Sequence, residues 1–466
     1  MEQELRAGPL RCKFADGELR YIKLGDTEVV RRVFFAVRTK TWDTLTPRLS
    51  NLDISRTESG FSIVFDARCE RDATGYDSEG AFNWSGKIEG KRDGTIVFTV
   101  TGAPTRDFET NRIGLCVLFG TPTVCGQKYT LQAKDGPRTG TFPKLVNAPL
   151  TFEEDFTELR YGNVRVSATG DGLFSMEDQR NFADSSFKAY QIMPYAYPKL
   201  TKGDAHTQTI TIKPEGFLQA VKKRESKTSQ LVLGEPVSGA TLPEIRTGST
   251  GERNWFHGIN HDREKAKAAA SISFAYFPVE HLYDDDTCWE NVPVIVELAE
   301  SARQFAPGKP LDIHHIALTL THPRTAPEPR NASPMGAAWA AVCLKYAGLA
   351  GVRSATFDMG PGYANRVLKA LTPLVGKPLR SVSVNSTALT APVEAFGAGQ
   401  SVVVVNKTGV RQQASLEKLP PGKWDAIELQ GQTPAGVMPK PVGISVRGGK
   451  TNLNLAPHEV RILTRW

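Results

Sequence analysis

TIVFTVT, residues 95–101, decides the reading of the first half of the chain. Ile96, Phe98 and Val100 fall on alternate positions, so an extended backbone lines them along one face. The same period of two runs through residues 19–24, 61–69, 82–89, 113–118 and 127–133. Between these segments stand Asp-Gly at 16–17, Asp-Ser-Glu-Gly at 77–80 and Arg-Asp-Gly at 92–94, all turn signals. Short alternating strands at this spacing predict an antiparallel β-sandwich, here a domain of residues 1–217.

Past Phe217 the period changes to that of a helix. In residues 290–305, Val292, Ile295, Val296, Ala299 and Ala302 recur at three and four, and the run stops before Pro-Gly-Lys-Pro at 307–310. Residues 335–346 and 363–374 also read as helices. They alternate with candidate strands at 271–277, 311–319, 354–358 and 380–384, as βα units do. The middle, residues 218–390, therefore reads as a TIM-barrel-like domain. Residues 222–250 are rich in Lys, Ser, Thr and Gly and read as a linker or irregular crossover. From 391 to 466 short strands return, at 401–405, 424–429, 443–446 and 458–463, which predicts a C-terminal β-domain.

Composition narrows the function classes. The chain has 57 Lys+Arg against 50 Asp+Glu, a net charge of +7 over 466 residues with the acids interleaved. That is a weak field beside the clustered basic stripe a phosphate backbone requires, so no nucleic-acid partner is expected. No apolar run has signal or spanning length, so no membrane partner is expected and the location is read as cytoplasmic. The six cysteines, Cys12, Cys69, Cys116, Cys125, Cys288 and Cys343, lack CxxC or metal-finger spacing and read as reduced, mostly buried thiols. One bridge among them stays open at this point.

MEDQRNFADSSFKAY at 176–190 resembles a signature near the end of the N-terminal domain in the D-apionate lactonase family. NRIGLCVL at 111–118 and TFPKL at 141–145 resemble that family upstream. HLYDDDTCWE at 281–290 and PRNASPMGAAW at 329–339 resemble it downstream. The resemblance implies a β-sandwich, a (β/α)8-type barrel, a C-terminal β-domain and hydrolysis of a branched-sugar lactone. A full barrel takes ~250 residues, more than residues 218–390 offer, so the barrel is expected to be incomplete and to lack strands. Where the family is expected to carry Glu-Leu-Asn-Arg, this chain reads Gly258-Ile259-Asn260-His261; where a further Glu is expected, it reads Phe357-Asp358-Met359-Gly360. With two acids lost or shifted, weak or absent lactonase turnover is expected. The rival readings are a non-catalytic saccharide- or protein-binding relative and a glycoside hydrolase.

Candidate site residues follow from charge and placement. His281, Asp284, Asp285 and Glu290 come after the strand at 271–277, where barrels carry active-site loops. A carboxylate there would activate water, with His281 or Arg330 steadying the oxyanion. The structural counterpart is a helix cap by Asp285 or Asp286, a reading that suits Asp286 better than Asp284. Asp358, ahead of Gly360-Pro361-Gly362, reads as a barrel-mouth carboxylate or as a turn former. Glu177, Asp178, Arg180, Asn181, Asp184 and Lys188 offer groups that bind sugar hydroxyls, and equally form a buried ion-pair network. His257 and His261 lack a third metal ligand, and no metal is expected. His314 and His315 are expected on opposite faces of their strand. Trp255, Trp289 and Trp339 offer stacking surfaces or core aromatics. No Gly-x-Ser-x-Gly elbow, Walker loop or dinucleotide fingerprint occurs, so no cofactor is implied. The expected ligand is a small carbohydrate or sugar lactone. Oligomeric state is not legible.

Overall fold

The computed structural model describes residues 2–40, 44–69, 81–192, 199–216, 228–248, 254–279, 282–318, 328–385, 391–431 and 437–466. The chain divides into two compact units: Met1–Gln179 with Ser185–Lys222, and Arg180–Asp184 with Lys223–Trp466.

The first unit is built on antiparallel strands. Ile96–Pro104 pairs with Phe82–Gly90 on one side and His206–Pro214 on the other, with Phe98 opposite Ile88 and Ile210. Ile96, Phe98 and Val100 all point into the core, as their alternation requires. Phe65 and Trp84 meet there edge to face, ring centres 5.3 Å apart. Gly86 is small because it must be: a Cβ would lie 2.3 Å from the Phe65 ring. The long strands Thr27–Thr39 and Phe108–Gly120, paired antiparallel, are buried over most of their length on both faces. Sequence reading passed over Thr27–Thr39 because Arg31, Arg32 and Arg38 interrupt its apolar pattern. Those arginines are buried, Arg31 on Glu28 at 2.9 Å and Arg32 on Glu18.

The second unit holds a parallel sheet and a larger mixed one. Among the described residues the parallel sheet has four strands, ordered Glu244–Thr247, Ser354–Phe357, Leu311–Ile316, Ile272–Tyr276. Trp255 adds a single parallel bridge to Ala275 beyond the last of them. Helices alternate with these strands. Val294–Phe305 buries Val294, Ile295, Leu298, Ala299, Ala302 and Phe305, one stripe at the helical period. Pro293 separates it from the short helix Asp285–Glu290, so the single helix expected at 290–305 starts late. Pro334–Leu349 is capped by Ser333, whose hydroxyl accepts from Gly336 N at 3.2 Å.

Two expectations are corrected here. The described part of the expected linker contains the 14-residue strand Thr228–Thr241. It pairs antiparallel with Pro378–Asn385 and parallel with Gln412–Glu417, in a nine-stranded sheet. Pro378–Asn385, expected in the barrel, belongs to that sheet too. The buried apolar residues of Thr228–Thr241 are Leu231, Leu233 and Ala240, and its Gly and Ser disguised it as loop. All six cysteines are free, with Cys125 half-buried and the others buried. Among the described residues no helix is long and apolar enough to cross a membrane.

Candidate active site

Parallel strands present their C-terminal ends together, and loops leaving those ends are where an α/β scaffold collects polar groups. Leu311–Ile316 and Ile272–Tyr276 are in register at Phe274–Ile313 and again at Ala275–His315. His314 is the extra residue between them, a β-bulge. Strict alternation is lost there. His314 Nδ1 lies 2.8 Å from Ser273 Oγ, while His315 packs its ring 4.9 Å from that of Phe277. Ser273 and Phe277 are four residues apart in an extended segment and so share a face. Both histidines therefore serve that face, which corrects the expectation of opposite ones.

His315 Nε2 sits 3.3 Å from Asp358 Oδ2. Asp358 follows Ser354–Phe357 and is anchored by its own N–H to Ile316 O at 3.0 Å. The histidine side chain is 2% exposed and the carboxylate 36%, so the acid fronts solvent with the imidazole behind it. The bulge aims His315 at the neighbouring strand's end. Sequence reading nominated Asp358 without its partner, since a bulge leaves no period to read.

The loop after Ile272–Tyr276 behaves differently. His281 lies outside the described residues. Asp284, not Asp286, caps the helix Asp285–Glu290: its carboxylate accepts from Thr287 N at 3.0 Å and from Thr287 Oγ1 at 2.9 Å. Asp285 is exposed and meets Arg330 at 3.2 Å. Arg330 is gripped bidentately by Glu328, at 2.7 and 3.1 Å, and donates to Tyr283 O at 2.7 Å. Its guanidinium thus ties the 283–288 loop to the turn Pro329–Ala332. Burial alone would lower its pKa, but Glu328, Cys288 and Asp285 raise it. Glu290 ends the short helix; its charge and that of Asp286 reach Lys407, whose pKa burial pulls down against the pull of Glu394. Trp339 is core, its indole N–H donating to Cys288 O at 3.0 Å.

The run at 176–190 is divided between the units at Gln179. In the first, Glu177 stands directly across from Lys188 in the strand register and pairs with it at 3.1 Å, and pairs also with Arg112. Burial pushes the Glu177 carboxyl up, yet Lys188 and Arg112 outweigh it and hold the pKa at about 2. Asp178 accepts from Asn147 N at 2.8 Å. In the second unit Arg180 pairs with Glu297 at 3.0 Å, Asn181 with Asn260 at 2.9 Å, and Asp184 with Asn291 at 2.9 Å. Asp178 and Arg180 are both 0% exposed, meeting the expectation of burial. His257 and His261 stack at 6.0 Å on the helix Phe256–His261; burial and the His261 charge lower the His257 pKa.

A model of the D-apionate lactonase N-terminal domain matches residues 1–216, and a model of the D-apionate lactonase TIM barrel domain matches residues 235–370. The chain belongs to the D-apionate lactonase family. A D-apionate lactonase of Brucella anthropi is 34% identical over 273 residues, covering 57% of this chain and 42% of that protein. This member of the family thus matches less than half the length of that curated relative. Solved structures similar to it include CelM2, a bifunctional glucanase-xylanase from a metagenome library, at 15% identity over 42% of this chain and 43% of that one, TM-score 0.33. A Paenibacillus polymyxa xyloglucanase of glycoside hydrolase family 44 gives 11% identity over 45% and 50%, TM-score 0.35.

Proposed function

We propose that the protein hydrolyses the ring ester of a sugar-acid lactone at the C-terminal ends of its parallel strands. The observation that carries this is the His315–Asp358 pair, in a chain of the D-apionate lactonase family. Asp358, half-exposed, takes a proton from water as that water attacks the lactone carbonyl. The ring C–O bond then breaks, and the leaving oxygen recovers the proton. His315, buried against Phe277, orients the carboxylate and limits its wandering. Asp285 stands as the second acid on this edge, with Arg330 positioning its loop; Asp284 and Glu290 serve the helix between them. Glu177, Asp178, Arg180 and Asn181 read as scaffold, because their polar groups bond to protein partners. Four parallel strands support a shortened TIM-type barrel, followed by a C-terminal β-domain that recruits Thr228–Thr241. Free thiols support a reducing, cytoplasmic setting.

The test is acid release from D-apionolactone by the purified protein. Asp358→Asn is expected to lower kcat by about 10²–10⁴ without lowering Tm, whereas Asp284→Asn, which still caps the helix, leaves both nearly unchanged. Turnover that survives Asp358→Asn would overturn the site. Binding of D-apionate without any turnover would favour a non-catalytic saccharide-binding relative.

A further inference from the structure

The indole Nε1–H of Trp255 is buried and has no acceptor among the described residues. Such a donor is rare in folded proteins, because leaving it unpaired forfeits the hydrogen bond that water would have given. Trp255 stands at the edge of the parallel sheet as the described residues form it, bridged to Ala275, with Asn254 O accepting from Ala275 N at 2.8 Å. Its ring packs on the small cluster Ala275, Phe277 and Ala317 and receives Phe182 edge-on at 5.6 Å. Two of its three cluster neighbours are alanines, and the indole stays half-buried. Phe277 is also the ring against which His315 rests. An apolar face with one unspent donor, sharing a packing partner with the His315–Asp358 pair, has the makeup of a sugar platform.

We propose that Trp255 forms a saccharide subsite beside that pair. Its face covers the C–H side of a polyhydroxylated sugar lactone or sugar acid, and Nε1 donates to one of its oxygens. The inference rests on the lactonase reading for the identity of the ligand as a sugar lactone or the open-chain acid its hydrolysis gives. It does not need turnover.

The probe is D-apionate, titrated into wild type and Trp255→Phe, which keeps an aromatic ring and removes the donor. Affinity is expected to weaken roughly tenfold, the worth of about one hydrogen bond, while Tm stays level or rises because an unpaired donor is gone. In wild type the indole N–H resonance of Trp255, identified by its absence from the variant, is expected to move on addition of D-apionate. Should that variant fold poorly, Trp255→Tyr identifies the resonance in its place, and the wild-type shift on titration decides alone. Equal affinities, a resonance unmoved at saturation, or no binding of either D-apionate or D-apionolactone would overturn the subsite. Binding that depends on Trp255 without lactone hydrolysis would keep the subsite and remove the lactonase reading.

Discussion

Asp358 and Glu177 are both carboxylates beside nitrogen bases, and exposure separates their work. Glu177 is 3% exposed, with Lys188 and Arg112 against it, so its charge is spent on holding two cations inside the β-structure. Its folded pKa of about 2 lies below the ordinary 4.5. The stabilisation this gives is complete above the ordinary value and is lost as pH falls toward 2. Glu177→Gln is expected to cost about 3 kcal/mol, since it strands the buried Lys188 and leaves the half-buried Arg112 without its carboxylate. Denaturant unfolding of wild type and variant should show the gap at neutral pH and its narrowing between pH 4.5 and 2. A gap that does not change across that window would count against the paired carboxylate. At this scale the sequence is a poor guide. The charged run at 176–190 was visible, but nothing in its spacing announced that Glu177 and Arg180 would find partners in different units. Asp284 was misjudged for a related reason: three consecutive aspartates can each supply a cap, and the choice depends on where the backbone first turns helical.

Elements were easier to read than side chains. Alternation in Phe61–Cys69, Phe82–Gly90 and Ile96–Pro104 is strict because one face of each strand is core and the other is wetter. Thr27–Thr39 escaped notice because it is buried on both faces with arginines among the buried residues, which leaves no apolar alternation. The bulge at His314 escaped because one added residue has no sequence signature. Close packing at a helix start gives a test at this scale. Gly336 lies in the first turn of Pro334–Leu349, and a Cβ there would fall 2.1 Å from Arg330 O. Gly336→Ala is expected to cost about 1–3 kcal/mol by overpacking and to loosen the turn that carries Arg330. Gly258, inside Phe256–His261, has nothing within 4 Å of its missing Cβ. Gly258→Ala should therefore stabilise the helix by up to about 1 kcal/mol. Thermal unfolding of the two variants checks both signs, and equal shifts would refute the packing argument.

For the molecule as a whole, the cysteines report on how completely the chain is folded. Five of the six are buried, and burial pushes the Cys12, Cys69 and Cys116 thiols up to about 12. A disulfide reagent at mild alkaline pH is expected to modify one thiol quickly, Cys125, and all six only after denaturation. Fast reaction of two or more in the native protein would contradict that burial, and Cys125→Ser should abolish the fast phase. The broad order, β then βα then β, was legible because each change of period spans many residues. What escaped was the path of the chain between the last two regions. Thr241 and Pro378 are partners in register, so all the βα units lie between two positions that touch. They are cargo in the loop of a hairpin. A loop's closing cost grows only with the logarithm of its length, so βα pairs can be gained or lost there while the strands that flank them still meet. A protein arranged in this way can shed part of a barrel and keep its sheet.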